Sequence, residues 1–231
     1  SAAQLGELQS ALAGSFVTTL ERAGGTVLAA RYITPNGFVL VEVTHYDGED
    51  VQILTEPRLF DQMDQRLFQL GLNAQPGEVV ASDLTFRMYP NRDQIFEPLT
   101  PLIRFVAPVA PTGDMMSLSG QIQIDVSPAP VFDALRTLTQ TDPAFGELRR
   151  RIFLLDGDHE LLLDTNNLNA NFLRRLANGF GVTLESQIPQ VTQFLSDDNL
   201  LTDIFRVEDR IYALRTLPLQ GTGSSQWRVM L

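Results

Sequence analysis

The chain has 231 residues, of which 44% are hydrophobic and 19% are charged, and this composition excludes a disordered or low-complexity protein. Its 28 acidic and 17 basic residues give a net charge of −11, which argues against a nucleic-acid-binding surface. There is no Cys and every basic residue is Arg, so cysteine chemistry, lysine Schiff bases and a P-loop are excluded as well.

The chain begins with a predicted helix, followed by a group of strands. Apolar residues recur at helical spacing from Leu5 to Leu20, and Gly24 and Gly25 follow where a helix end is expected. Turn sequences then separate three predicted strands, at 26–32, 39–44 and 51–54.

A second helix is predicted over 58–70, because four apolar residues fall on one side of it: Leu59, Met63, Leu67 and Leu70. The next stretch, 71–101, is polar and rich in Pro, with a short strand expected at 78–82. Loops of this length inside a compact domain are usually functional or disordered.

Two further strands are predicted at 102–109 and 118–126, and the second shows a clear period of two. In it, Ile122 and Ile124 alternate with polar residues. A helix is expected to begin at Ser127 and Pro128, since Ser favours the N-cap and Pro the first helical position.

The second half of the chain predicts a smaller unit. Strands at 152–155 and 160–163 flank the turn 156–158 (DGD), and a short helix is expected at 166–178. A second hairpin is predicted around 208–209, and a final strand closes the chain at 227–231. This order of elements predicts an α+β fold with antiparallel sheets and helical cover.

Six segments, in the same order and at similar spacings, resemble parts of double-Cache sensor domains. The most specific is 97–109 (EPLTPLIRFVAPV), which is similar to the family's E-x-P-x-x-P-x-I-R-F-A-T-P-V. The other segments are 30–37 (ARYITPNG), 59–68 (LFDQMDQRLF), 77–84 (GEVVASDL), 120–126 (GQIQIDV) and 153–158 (FLLDGD).

The resemblance implies two PAS-like (Cache) modules, each an antiparallel sheet with helical cover, joined along an N-terminal helix. The expected boundaries are 1–24 for the helix, 25–140 for a membrane-distal ligand-binding module and 141–231 for a smaller membrane-proximal module. The resemblance also implies a periplasmic or extracellular part of a bacterial membrane protein. The parent would have flanking transmembrane helices, a histidine kinase, diguanylate cyclase or chemoreceptor output, and the capacity to form a homodimer.

Arg66 is the first candidate ligand-binding residue, because it falls on the same side of the predicted helix as Met63 and Leu70. A charge on an inward stripe can extend to the surface or pair with Asp83 or Glu97. It can equally bind an anionic ligand, and the sequence leaves both interpretations open.

Arg104 lies between apolar neighbours in the middle of a predicted strand, so it needs a partner or a ligand. Its guanidinium matches a carboxylate in geometry. The partner could be Asp125 or Asp83, and Asp125 could instead accept a hydrogen bond from a ligand amine. Tyr32 could line the same cavity, as could two residues for which a solvated loop is the simpler interpretation, Arg87 and Tyr89.

The predicted ligand is a small carboxylate or an amino-acid-like molecule, and no cofactor, metal or nucleic acid is expected. The predicted ligand-binding set is Arg66, Asp83, Arg87, Tyr89, Arg104 and Asp125.

Catalysis is not expected. The DGD turn superficially resembles the D-x-D of haloacid-dehalogenase-type phosphatases, but those need a parallel strand and a Lys. His45 and His159 lie beside turns and are predicted to be exposed, without a second His at metal-binding spacing. The run 149–151 (RRR) is expected to form a solvated face or an interdomain contact.

Two functions from different classes remain. The first is a signal-binding module whose ligand shifts an equilibrium between two states of the chain. The second is a structural or interaction module that recognises a periplasmic partner protein through its surface.

Overall fold

The computed structural model describes residues 2–46, 50–56, 58–59, 65–82, 84–86, 100–110, 120–140, 151–156, 159–166, 182–195, 202–207, 210–218 and 226–230. Contacts divide the chain into two units. The main part of the first is Ser1–Ala129, and the second comprises Pro130–Leu219 and Ser224–Leu231. The described strands of each unit form one antiparallel sheet, so the predicted α+β fold of two sheet-based modules is confirmed.

The sheet of the first unit has eight strands. Its main path follows the order β3 (Gln52–Leu54), β2 (Phe38–Thr44), β1 (Val27–Ile33), β8 (Gly120–Val126), β7 (Pro101–Val109) and β5 (Val80–Ala81). Two short strands complete it: β4 (Arg58–Leu59) pairs with β2, and β6 (Thr85–Phe86) pairs with β7. Strand β8 is therefore flanked on both sides, by β1 and β7.

Helix α1 (Ala2–Arg22) covers one face of this sheet. Its Phe16 and Leu20 join Ala30, Val41 and Val43 in one buried apolar cluster, against which Ile122 of β8 also packs. After α1 the chain turns through Gly24 and Gly25, both at positive φ, a conformation that glycine adopts without a steric penalty.

Helix α2 (Gln65–Asn73) covers the opposite face. Leu67 packs with Val80 and Val106, and Phe68 packs with Ile33 and Val39. These contacts place α2 over β5, β7 and the adjoining ends of β1 and β2.

The prediction of one helix over 58–70 is wrong at its start, because Arg58 and Leu59 form strand β4 beside Val39 and Phe38 of β2. Pairing with β2 there is a tertiary contact, and such contacts override a local helical pattern. Leu70, predicted to face inward, is 37% exposed. Met63 lies outside the described residues.

Helix α3 (Ala129–Gln140) follows β8 directly. The Ser127 hydroxyl accepts a hydrogen bond from the amide of Ala129, at 3.2 Å, so Ser127 helps to begin the helix as its sequence suggests. Apart from Ala129, the helix is grouped by its contacts with the second unit.

The sheet of the second unit has five strands in the order β10 (Leu161–Asp164), β9 (Phe153–Leu155), β13 (Gln226–Met230), β12 (Arg210–Pro218) and β11 (Thr202–Val207). Two short helices, Leu184–Gln187 and Thr192–Leu195, supply Leu184 and Leu195 to its core. The two predicted hairpins are present as β9–β10 and β11–β12. The helix predicted at 166–178 lies almost wholly outside the described residues.

Among the described helices, none is both long enough and apolar enough to span a membrane.

Candidate functional site

A row of buried polar side chains runs along β8, the strand at the centre of the first sheet. Gln121, Gln123 and Asp125 are exposed by only 0%, 1% and 0%. They alternate with Ile122, which packs on the α1 side, so all three point to the face that α2 covers. A buried face lined by amides and a carboxylate is unusual for a protein core and calls for partners.

The neighbouring strands bring charged side chains onto the same face. Arg104 of β7 lies directly opposite Asp125, and Arg31 of β1 lies opposite Gln123. Glu42 of β2 lies opposite Arg31. Sheet pairing thus gathers two arginines and two acids at one place, and we call these four residues, with Gln121 and Gln123, the polar cluster.

Ion pairs connect the charged members of the polar cluster. Arg31 Nη1 donates to Asp125 Oδ2 at 2.8 Å, and Arg31 Nε donates to Glu42 Oε1 at 2.5 Å. Arg104 Nε donates to the other carboxylate oxygen of Asp125 at 3.1 Å. Asp125 therefore accepts from two strands at once, and the four charges sum to zero.

Arg31 keeps its charge despite its burial. Desolvation by itself lowers the pKa of Arg31, but the Asp125 carboxylate and the Tyr46 hydroxyl favour the charged form more strongly. The net effect is that the pKa of Arg31 is raised above its ordinary value. The guanidinium is consequently a permanent cation in this face.

The two glutamines of the cluster are different, because their amides lack partners. Within the described part of the chain, neither the nitrogen nor the oxygen of the Gln121 and Gln123 side chains makes a hydrogen bond to the protein. Leaving a buried polar group unsatisfied costs about 1–3 kcal/mol. These amides therefore have unused hydrogen-bonding capacity.

Helix α2 lies directly on Gln121. A Cβ added to Gly71 would be 2.3 Å from Gln121 Oε1 and 2.4 Å from Val106 Cγ1. Only the absence of a side chain at Gly71 permits this approach. The helix therefore closes the Gln121 end of the cluster.

The structure brings together two of the predicted ligand-binding residues, Arg104 and Asp125, and shows them paired with each other, one of the two interpretations that the sequence left open. Arg66 belongs to α2, but its side chain is not among those that the structure describes. The other predicted members are outside the described residues: Asp83, Arg87 and Tyr89.

Tyr32 does not belong to this face, because it packs with the apolar cluster under α1. The strand alternation explains this, since Tyr32 follows Arg31 and must point to the opposite side.

Sequence reasoning missed Arg31, Glu42, Gln121 and Gln123. For Arg31 and Glu42 a signal existed, because each is a charge within an otherwise apolar strand, the same pattern that identified Arg104. For the glutamines the alternation with isoleucine was visible, but it does not reveal that a helix also covers the polar face of the strand.

The second unit contains a separate polar network around His159. Arg228, only 2% exposed, places Nη1 2.8 Å from both the Leu195 carbonyl oxygen and His159 Nε2. His159 Nδ1 lies 2.7 Å from Glu185 Oε1. A guanidinium only donates, so Nε2 accepts and Nδ1 carries the proton toward Glu185.

The prediction that both histidines are exposed is wrong. His159 is half-buried at a φ of 62°, and its ring connects two elements of the second unit. His45 is half-buried as well. For His159, the contacts with Glu185 and Arg228 cover a side chain that its turn sequence suggested would face solvent.

The DGD turn and the arginine run have structural roles where they are described. Asp156 Oδ1 accepts from the Glu160 amide at 2.9 Å, and β9 and β10 pair antiparallel rather than as a phosphatase would require. Arg151 forms two parallel hydrogen bonds to Asp164, at 2.9 and 2.6 Å. The described residues contain no group of three or more acids and histidines placed to hold a metal ion.

Comparisons with known proteins give structural matches only. No family model matches the chain, and no curated protein matches it. A domain of a protein assigned to the sensory box/GGDEF family of Vibrio parahaemolyticus superposes with a TM-score of 0.65 at 12% identity, covering 100% of this chain and 78% of that one.

Two further structures agree with this match. The extracellular domain of a protein assigned as a histidine kinase gives a TM-score of 0.63 at 12% identity, covering 100% of this chain and 75% of that one. A methyl-accepting chemotaxis protein gives a TM-score of 0.57 at 13% identity, and the match covers 96% of this chain and 80% of that one. The chain thus has the fold of such sensory domains, and the resemblance to double-Cache domains is confirmed at the level of the fold.

Proposed function

We propose that this chain, which has the fold of extracellular sensory domains, binds a small polar molecule on the α2 face of its first sheet. The observation that carries the proposal is the polar cluster. A face that only had to stabilise the fold would be filled with apolar side chains, whereas this one holds buried amides with unused hydrogen-bonding capacity.

The same proposal places the chain outside the cytoplasm, as the sensing part of a membrane protein with an output domain such as a histidine kinase or a diguanylate cyclase. Binding would change the balance between two states of the chain through unequal affinity for them. No catalytic step is assigned to the chain itself.

The ligand expected from the sequence, a carboxylate or an amino-acid-like molecule, needs a guanidinium that can turn toward it. Arg31 and Arg104 both donate to Asp125, and Arg31 also donates to Glu42. A ligand carboxylate would therefore compete with protein carboxylates that are already in place. This ligand class is included in the test on equal terms with others.

The experiment is a thermal-shift screen of the whole chain against small carboxylates, amino acids, amines and amides, because a bound ligand raises stability by mass action. We expect at least one class to raise the melting temperature. Arg104→Ala and Arg66→Ala should reduce that shift if the ligand is anionic, whereas Arg210→Ala, an exposed arginine of the second sheet, should leave it unchanged.

A second candidate function is recognition of a partner protein. Ile204 and Ile211 lie on the outward face of β11 and β12 and are 70% and 71% exposed. Two exposed side chains do not by themselves form a large apolar patch, so this candidate ranks below ligand binding. A screen in which no compound stabilises the chain would reverse that order.

A further inference from the structure

We propose that Gln121 and Gln123 form a recognition subsite for an uncharged group that carries a hydrogen-bond donor and an acceptor side by side. Primary amides, lactams and the edges of nucleobases share this chemistry. The inference rests on the proposed function and specifies the ligand class that its site would take.

The position of the two glutamines supports a subsite. Both side chains are almost completely buried on the face that α2 covers, and neither amide has a partner within the described chain. In the strand register, Gln123 lies between Arg31 and Val106, and Gln121 lies between Ile33 and Pro108. Polar atoms are thus presented next to apolar surface, as in most small-molecule sites.

The spacing of the two amides defines what they can contact. Residues two apart on a strand are separated by about 6.5–7 Å on the same face. Each amide offers a donor and an acceptor in one plane, so each can form a paired hydrogen bond with a group of the same type. A compact ligand with an amide-like edge can therefore satisfy Gln123, whereas at Gln121 helix α2 would have to give way.

The charges of the polar cluster argue that the recognised group is neutral. Arg31 and Arg104 are balanced by Glu42 and Asp125 within 2.5–3.1 Å. An added carboxylate would be a buried charge without a counter-ion of its own, which is strongly unfavourable. An amide adds no charge and pairs with the unused donors and acceptors.

The experiment compares pairs of compounds that differ in an amide against a carboxylate: propionamide with propionate, benzamide with benzoate, and nicotinamide with nicotinate. The readout is the melting temperature of the whole chain. At about 100 times its Kd, a bound amide should raise the melting temperature by about 5–10 °C, and its carboxylate counterpart should raise it much less.

Matched variants locate the effect. Gln121→Met and Gln123→Met keep the side-chain length and remove the amide, so the shift should fall in at least one of them while stability without compound stays equal or rises. Gln52→Met, an exposed glutamine of the same sheet, should leave the shift unchanged. The side-chain amide signals of Gln121 or Gln123 in a ¹⁵N NMR titration should move with the amide compound.

Three results would overturn the inference. Larger shifts with carboxylates than with amides would reject the neutral subsite and leave the proposed function standing. An amide shift that survives both Met substitutions would place binding elsewhere. No shift with any of the six compounds would also reject the subsite, while the wider screen would decide the proposed function separately.

Discussion

The Arg31 guanidinium donates to the Asp125 carboxylate over 2.8 Å, although the two residues do not face each other in the sheet. The register places Arg31 opposite Gln123, and Asp125 opposite Ala29, so the long arginine side chain reaches diagonally across the strand pair. Arg104 meets the same carboxylate from the other side. Asp125 therefore joins three adjacent strands.

The first prediction concerns the pair of Arg104 and Asp125. Asp125→Ala removes the acid that Arg31 and Arg104 share, so this variant should lose about 3–5 kcal/mol of unfolding free energy. Arg104→Ala leaves Asp125 paired with Arg31 and should lose less. The double variant should lose less than the sum, with a coupling of about 0.5–3 kcal/mol. Urea denaturation of the wild-type chain, the two single variants and the double variant measures these free energies of unfolding.

The control for this double-mutant cycle is the exposed pair of Arg136 and Asp133 in α3, whose side chains are 39% and 65% exposed. Its coupling should be no more than about 0.5 kcal/mol. Equal coupling in the two cycles would mean that burial does not strengthen the Arg104–Asp125 pair.

The second prediction concerns pH. Because the pKa of Arg31 is raised in the folded chain, its ionisation contributes to the free energy of unfolding. This contribution is present in full below the ordinary arginine pKa and is lost only in strong alkali. In Arg31→Leu this contribution is absent, so the stability difference from the wild-type chain should stay constant between about pH 6 and about pH 9, which lie below the ordinary arginine pKa.

Chemical denaturation at several pH values tests this, with Arg136→Leu as the exposed control. A stability difference for Arg31→Leu that falls away as the pH rises toward about 9 would contradict the raised pKa of Arg31.

The third prediction concerns the approach of α2 to the sheet. Gly71→Ala would force the new Cβ against Val106 and Gln121, so we expect a loss of about 1–3 kcal/mol. Gly14→Ala, at an exposed position of α1 with no atom within 4 Å of the new Cβ, should instead stabilise by about 0.5–1 kcal/mol. Thermal unfolding of both variants measures these changes in stability. A neutral or stabilising Gly71→Ala would disprove the close approach of α2 to the sheet.

The fourth prediction concerns the second unit, where Arg151 holds Asp164 with two hydrogen bonds and its guanidinium lies 4.5 Å from the centre of the Phe153 ring. Lys cannot form the paired bond or stack in the same way. Since the Arg151 side chain is 34% exposed, we expect Arg151→Lys to cost about 1 kcal/mol. The exposed control Arg136→Lys should change stability by less than about 0.5 kcal/mol.

The sequence by itself determined most of the strands of both sheets, the first helix and the antiparallel α+β class. Alternation in β8, turn residues and apolar spacing are local properties, and local patterns specify element type well. Arg104 and Asp125 were also recognisable, because a charge within a strand needs a partner wherever that strand lies.

Only the tertiary structure decided that both faces of β8 are covered, by α1 and by α2, and which residues meet on the α2 side. A period of two separates the faces of a strand but does not say whether a helix also buries the polar one. Arg31 and Asp125 are 94 positions apart, and only the pairing of β1 with β8 brings them together. The same pairing, with α2 above it, makes Gln121 and Gln123 buried amides without partners in the described chain.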